Sequence, residues 1–199
     1  MAQSAAPVAA DRILTIPNVI SFVRLLCLPV FVWLLFGVDS RLSAAVLLAV
    51  LGCTDWVDGY IARHFAQVSD LGKVLDPTVD RFLFFVGVTS IIVDGAAPLW
   101  FSLAVLAREV IVGGTLALLT LAGMKRFDVT WFGKAGTFGL MVSFPSFLLA
   151  AGTSGFWHGF GLVLGWGFGI FGLIFSYYSA FTYIPMMRDA LREGREARV

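Results

Sequence analysis

Charge is what this chain has least of. Only 14% of its 199 residues are Asp, Glu, Lys or Arg, against 59% hydrophobic. A soluble domain carries about 25% charged residues and spreads them over its surface, so the balance argues against a soluble globular fold. Cysteine is scarce too: Cys27 and Cys53 form no Cys-x-x-Cys pair or Cys/His cluster. Metal-thiolate and thiol-redox chemistry are thereby disfavoured, and both cysteines are expected as small buried apolar residues. A net charge of +1, with basic residues in no patch-like run, gives no footing for nucleic acid. The Ala-rich first ten residues show no basic stretch ahead of a short apolar core, so they read as a tail and not as a secretory signal. Neither an internal repeat nor a low-complexity linker is present.

What the chain has is apolar blocks of roughly 18–25 residues, the length a helix needs to cross a hydrocarbon core about 30 Å thick. The pattern predicts an all-α integral membrane protein with six transmembrane helices, at about 18–37, 42–64, 76–94, 97–123, 131–151 and 160–185. Asp11 to Asn18 predicts a short N-terminal interfacial segment, with Pro17 placed to open the first helix. The expected organisation is 1–17 tail and interfacial segment, 18–187 one six-helix domain, and 188–199 a charged, helical C-terminal extension. Ten basic residues, among them Arg12, Arg63, Lys73, Lys125 and Arg188, fall on one side of that layout, and Arg41 alone on the other. Basic loops stay inside, which places both termini in the cytoplasm.

Against this background Asp55, Asp58, Asp76 and Asp80 stand out, four acids within 26 residues of membrane-helix sequence. Each ionisable group near the bilayer centre costs roughly 2.5–3.5 kcal/mol on insertion scales. Residues three or four apart share a helix face, so Asp55 and Asp58 project together from the second span, and Asp76 and Asp80 from the third. A short turn lets the two faces converge. Four close carboxylates stay ionised only with cations between them. Two divalent ions balance the charge, and hard oxygen ligands suit Mg²⁺ or Mn²⁺. Such a pair can hold a pyrophosphate and polarise its phosphorus. Gly59 and Gly72 leave room for a nucleotide against the backbone, and Arg63 suits a phosphate oxygen. Asp70 reads as a solvated loop acid.

The pattern Asp-x₂-Asp-Gly-x₂-Ala-Arg-x₈-Gly-x₃-Asp-x₃-Asp, residues 55–80, resembles the signature of the CDP-alcohol phosphotransferase family at all eight fixed positions. The resemblance implies a dinuclear-metal enzyme that moves a phosphatidyl group from CDP-diacylglycerol to an alcohol and releases CMP. It implies Asp55, Asp58 and Asp76 as metal ligands, and Asp80 as both a ligand and the general base. Gly59, Ala62, Arg63 and Gly72 would line the CDP site.

Two further cations bear on the acceptor. Arg108 lies within the fourth span beside Glu109, and Lys134 opens the fifth. Together they suggest a cationic pocket for an anionic acceptor. The plainer alternatives are a structural pair with a motif carboxylate for Arg108 and an interfacial snorkelling lysine for Lys134. Arg24 and Arg81 read as structural or lipid-phosphate residues. Within the family the chain is similar to the phosphatidylglycerophosphate synthase and cardiolipin synthase branch. The former commonly carry a second arginine about two turns after Arg-Glu, where this chain has Leu116. Residues 128–138 look more like cardiolipin synthases of the actinobacterial type, although Glu109 stands where those often have Asp. Phosphatidylglycerol is therefore favoured as acceptor over glycerol-3-phosphate, at a bacterial plasma membrane.

The remaining features have plain readings. His64 is a solvated interfacial histidine, and His158 falls in an outer loop. Trp100, Trp131, Trp157 and Tyr183 suit an aromatic belt. Gly161 and Gly165 permit either a homodimer contact or internal packing. A cation transporter and a non-catalytic membrane scaffold are the rival functions. The first lacks an acidic relay across the bilayer; the second gives no reason for four acids at this spacing.

Overall fold

The structure is a computed structural model. It describes the backbone of residues 16–65, 72–121 and 130–196 and the side chains of 19–54, 78–120 and 130–191. Within those limits the chain is helical, with no strand. Apolar surroundings explain why: a spanning backbone must satisfy its own N–H and C=O groups, which a helix does locally.

Helix α1 (Ile16–Val32) carries Pro17 in its first turn and widens into a π-helical turn at Trp33–Gly37. There the Val38 N–H donates to the Trp33 carbonyl at 2.9 Å. Asp39 then takes a φ of 54°, the left-handed region that Asp tolerates better than most residues. The chain reverses there into α2 (Arg41–Phe65). Helices α3 (Gly72–Asp94), α4 (Leu99–Leu121), α5 (Trp131–Gly152) and α6 (Phe156–Glu196) follow. Each expected span corresponds to one of these six. The last differs most, because α6 is a single 41-residue helix with Pro185 inside it. A proline forfeits one hydrogen bond, but its φ is helical. The residues after it, Met186 to Glu196, are mostly good helix formers, so the charged extension continues the same rod.

Among the described residues four segments are long and apolar enough to cross a membrane: Val19–Gly37, Leu99–Thr120, Trp131–Gly152 and Phe156–Leu191. The apolar part of α2 within the described residues is shorter, Arg41–Thr54. Large side chains point outward all round the bundle, including Phe22, Trp33, Phe82, Ile111, Val163 and Phe181. In water such a continuous apolar surface would drive association; in lipid it is the expected exterior. Cys53 belongs to it. That thiol is exposed and Cys27 is half-buried, which corrects the expectation that both are buried. An apolar thiol is as well solvated by lipid as by protein.

Helix α5 is central, with 56% of its apolar window buried against 11% for α4. It packs on α6 through missing side chains. A methyl group on Gly136 would lie 2.7 Å from the Ser176 nitrogen, one on Gly139 2.8 Å from Gly172 Cα, and one on Gly161 2.8 Å from the Ser146 carbonyl. Gly161 and Gly165 are thus taken up internally, Gly165 against the Phe147 ring. Ser143 Oγ crosses the same contact and donates to the Gly165 carbonyl at 2.8 Å.

One end of the bundle is stiff. Arg41 Nε at the start of α2 donates to both carboxylate oxygens of Asp94 at the end of α3, at 3.0 and 3.1 Å. Beside them Gly152 closes α5 against Arg41 and Leu42, with no room for a Cβ. His158 Nδ1 lies 2.8 Å from the Ala150 carbonyl and pins the first turn of α6 to the end of α5. Just inside, Phe101, Phe144, Phe147 and Trp166 meet at centroid distances of 5.5–6.2 Å. This core is the floor on which the site stands.

A contrast between two glycines of α6 tests the packing. Gly172→Ala would set its methyl 2.8 Å from the Leu140 nitrogen, and overpacking of this kind costs about 1–3 kcal/mol. At Gly167 a methyl would meet nothing within 4 Å, so Gly167→Ala should stay within about 0.5 kcal/mol of wild type. Thermal unfolding in detergent should separate the two variants. Equal midpoints would mean that α5 and α6 do not pack this way.

Candidate functional site

All six helices contribute to a cavity of about 340 Å³, within the range of small-ligand pockets. Its wall is apolar along most of its length, with Leu48, Leu51, Leu83, Val88, Ile91 and Phe144 from α2, α3 and α5. The polar groups are few: Arg24, Asp80, Arg81, Arg108, Glu109 and Thr137, with Tyr183 from α6. On α3 the wall runs from Asp80 to Ile91, roughly 16 Å at 1.5 Å per residue. The cavity therefore stretches from Asp80 to the aromatic core at Phe144.

Asp80 is the motif residue whose side chain the structure describes. It stands on α3, and Arg24 Nη1 of α1 donates to its Oδ1 at 2.7 Å. The arginine side chain is 3% exposed and the carboxylate 42%, so a buried cation holds a carboxylate that faces the cavity. Such a charge-assisted contact fixes the direction of the carboxylate. Asp55, Asp58, Gly59, Ala62 and Arg63 lie on the α2 backbone, and Gly72 and Asp76 on that of α3. The side chains of those seven lie outside the described residues, as do those of His64 and Asp70. The helices that carry them face each other deeper in the bundle, where a methyl on Gly87 would sit 3.7 Å from Leu48 Cδ1. A carboxylate-only donor set suits a hard divalent ion, and Asp80, half-exposed at a cavity wall, has the access that a ligand of such an ion needs.

Arg108 points into the same cavity. Its Nη1 donates to Glu109 Oε2 at 2.7 Å and its Nε to the Ser176 carbonyl of α6 at 3.3 Å. Among the described residues Arg108 is paired with its own neighbour, and Asp80 is met by Arg24. Adjacent residues on a helix do not face each other. Both side chains must bend towards the cavity to meet.

Lys134 is not among the residues that line the cavity. Its side chain is exposed in the first turn of α5, and there the wall is made by Gly133 and Thr137. One residue is a turn of about 100° around a helix, enough to carry Lys134 off the wall. Arg81 is exposed, lines the cavity and makes no ion pair among the described residues. The partners missed in the sequence were Arg24 for Asp80 and Glu109 for Arg108. The available signal was an arginine placed inside an apolar span, which by itself asks for a counter-charge.

Comparison with known proteins agrees with this arrangement. The sequence model of the CDP-alcohol phosphatidyltransferase family matches residues 14–178. A Mycobacterium tuberculosis protein named "Putative cardiolipin synthase" is 40% identical over 185 residues, covering 92% of this chain and 87% of its own. The Streptomyces coelicolor "Cardiolipin synthase (CMP-forming)" is 36% identical over 190 residues, covering 93% and 88%. A Bacillus subtilis CDP-diacylglycerol–glycerol-3-phosphate 3-phosphatidyltransferase is 28% identical over 148 residues, covering 67% and 76%. With a family match across most of its length and the family's acids on two helices that share one cavity, the chain belongs to the CDP-alcohol phosphatidyltransferases and is a transferase enzyme.

Proposed function

We propose that the enzyme joins CDP-diacylglycerol to phosphatidylglycerol, releasing CMP and forming cardiolipin. The observation that carries the acceptor choice is Leu116. It lines the cavity on α4, two turns beyond Arg108, at the place where glycerol-3-phosphate enzymes of the family carry a second arginine. An apolar wall there suits a lipid with one phosphodiester better than a doubly charged phosphate. The 340 Å³ cavity, polar at few points and apolar elsewhere, and the name of the Streptomyces relative support the same choice. Glycerol-3-phosphate is the alternative acceptor, which the name of the Bacillus relative supports.

In this reaction the free hydroxyl of phosphatidylglycerol attacks the phosphatidyl phosphorus. A new P–O bond forms, and the bond from that phosphorus to the oxygen of CMP breaks. Asp80 accepts the hydroxyl proton, a general-base role for which Arg24 keeps it aimed. Asp55, Asp58, Asp76 and Asp80 would hold two divalent cations, Mg²⁺ or Mn²⁺. When bound, those ions polarise the pyrophosphate and stabilise the negative charge of the leaving CMP. Gly59, Ala62, Arg63 and Gly72 would line the CDP site. Arg108 meets the acceptor phosphate, with Lys134 at the rim as a further contact. Six transmembrane helices with both termini in the cytoplasm of a bacterial cell would put the Asp80 end of the cavity on the cytoplasmic side, where CMP can leave.

Purified enzyme with CDP-diacylglycerol and Mg²⁺ or Mn²⁺ should release CMP when offered phosphatidylglycerol. Release with glycerol-3-phosphate alone would overturn the acceptor. Asp80→Asn should lower turnover by about 10²-fold or more, the usual range for a general base, while CDP-diacylglycerol still binds. Loss of that binding as well would make Asp80 chiefly a metal ligand. Arg24→Gln should lower kcat at least about tenfold with little change in KM. A change in KM alone would remove Arg24 from the proton-transfer step.

A further inference from the structure

Arg108 enters the cavity already neutralised. Glu109 Oε2 sits 2.7 Å from Arg108 Nη1, and both side chains belong to the cavity wall. They are 11% and 29% exposed in a helix with no other charge. The second oxygen of the glutamate is directed elsewhere. A methyl on Gly113, one turn further along α4 and itself on the wall, would lie 3.8 Å from Glu109 Oε1. That oxygen accepts no hydrogen bond among the described residues. The carboxylate therefore has one oxygen on the arginine and one beside the open space in which an acceptor phosphate would lie.

From this geometry we infer that Glu109 is a charge filter for the acceptor. It holds Arg108 while the cavity is empty and sets how much negative charge the cavity accepts. The inference rests on the acceptor reading above and adds a specificity determinant to it. A phosphate reaching Arg108 must share the arginine with Glu109 or displace it. A phosphodiester brings one negative charge. A phosphate monoester such as glycerol-3-phosphate brings nearly two at pH 7, since its second pKa is about 6. Repulsion from the fixed carboxylate scales with that charge and is strengthened by the apolar wall. Leu116, on the same face of α4, supplies no second cation to offset it. Glu109 thus penalises the monoester more than the diester. Ser176 keeps Arg108 in place during the exchange, because its carbonyl accepts from Nε, and Nε is not the atom that meets Glu109.

The test uses two soluble probes in detergent, glycerophosphoglycerol as the diester and glycerol-3-phosphate as the monoester. Their affinities are measured by ligand-induced thermal shift for the wild-type enzyme, Glu109→Gln and Glu109→Asp. Glu109→Gln keeps an oxygen for Arg108 and removes the charge. It should move the affinity ratio towards glycerol-3-phosphate by at least about tenfold. Glu109→Asp keeps the charge and should keep the wild-type preference for the diester. An unchanged ratio in Glu109→Gln overturns the inference, and so does an equal loss of both affinities, which would make Glu109 only a support for Arg108. Failure of Glu109→Gln and Glu109→Ala alike to fold, or binding of neither probe by any variant, overturns it too. The acceptor reading is judged separately, by whether wild-type enzyme releases CMP with phosphatidylglycerol.

Discussion

A charged side chain in an apolar bundle has no water or salt to screen it, and the rest of this structure is arranged around that constraint. Three arginines with buried or half-buried guanidinium groups each meet a carboxylate at hydrogen-bond distance: Arg24 with Asp80, Arg41 with Asp94 and Arg108 with Glu109. Breaking a fully buried pair costs about 3–5 kcal/mol. These pairs are worth less, since one partner in two of them is more than a third exposed. Their effect is as much geometric as energetic. Arg24 ties α1 to α3, and Arg41 ties α2 to α3. Arg108 reaches from α4 to the backbone of α6 through Nε. The pairs hold in register the helices that carry the site, and two of the three also present a carboxylate to the cavity.

The pairs differ in what a ligand can do to them. Arg41 and Asp94 sit at the stiff end of the bundle, bidentate on one nitrogen and closed over by α5 at Gly152. Arg24 and Asp80 face the cavity, but the cation is almost wholly buried, so the pair aims a carboxylate without offering its arginine to a ligand. Arg108–Glu109 is formed between neighbours on one helix, and both partners line the cavity. Exchange of partner is cheapest where no second helix must move, and that describes this pair.

How much of this was legible in the sequence follows from the same physics. Apolar blocks of bilayer length gave the helices, because membrane helices satisfy their own backbones and need little from tertiary context. The spacing of the acids made Asp80 visible, since four carboxylates have no cheap place in such a block. Pairing was not legible. Arg24 and Asp80 are 56 residues apart, and a sequence shows that an arginine needs a partner without showing which. Lys134 opens α5 as its position suggested, but that Gly133 and Thr137 are the residues of that region on the wall depends on a helix rotation that only packing sets. Gly161 and Gly165 had the spacing for a contact with a second copy, yet α5 occupies that face, because only a neighbouring backbone decides where a small-residue stripe is used. Pro185 was read near a span end and lies inside α6, where its φ suits the helix.

The polarity of the cavity bears on the direction of the proposed reaction. Donor, acceptor and product lipid would share one solvent with the bundle, so exchanging them across its sides changes little in hydration. CMP is the exception: it is charged, carries no acyl chain and gains full hydration once it leaves. The cavity wall reaches Phe144 of the aromatic core and carries Asp80 among its charged groups, so in the proposed reaction charge would gather near Asp80. The stiff end and the reactive end are therefore one design constraint. The glycine contacts that draw α5 and α6 together hold the aromatic core in place, and the apolar wall beside it strengthens what each charge of the cavity does to a ligand.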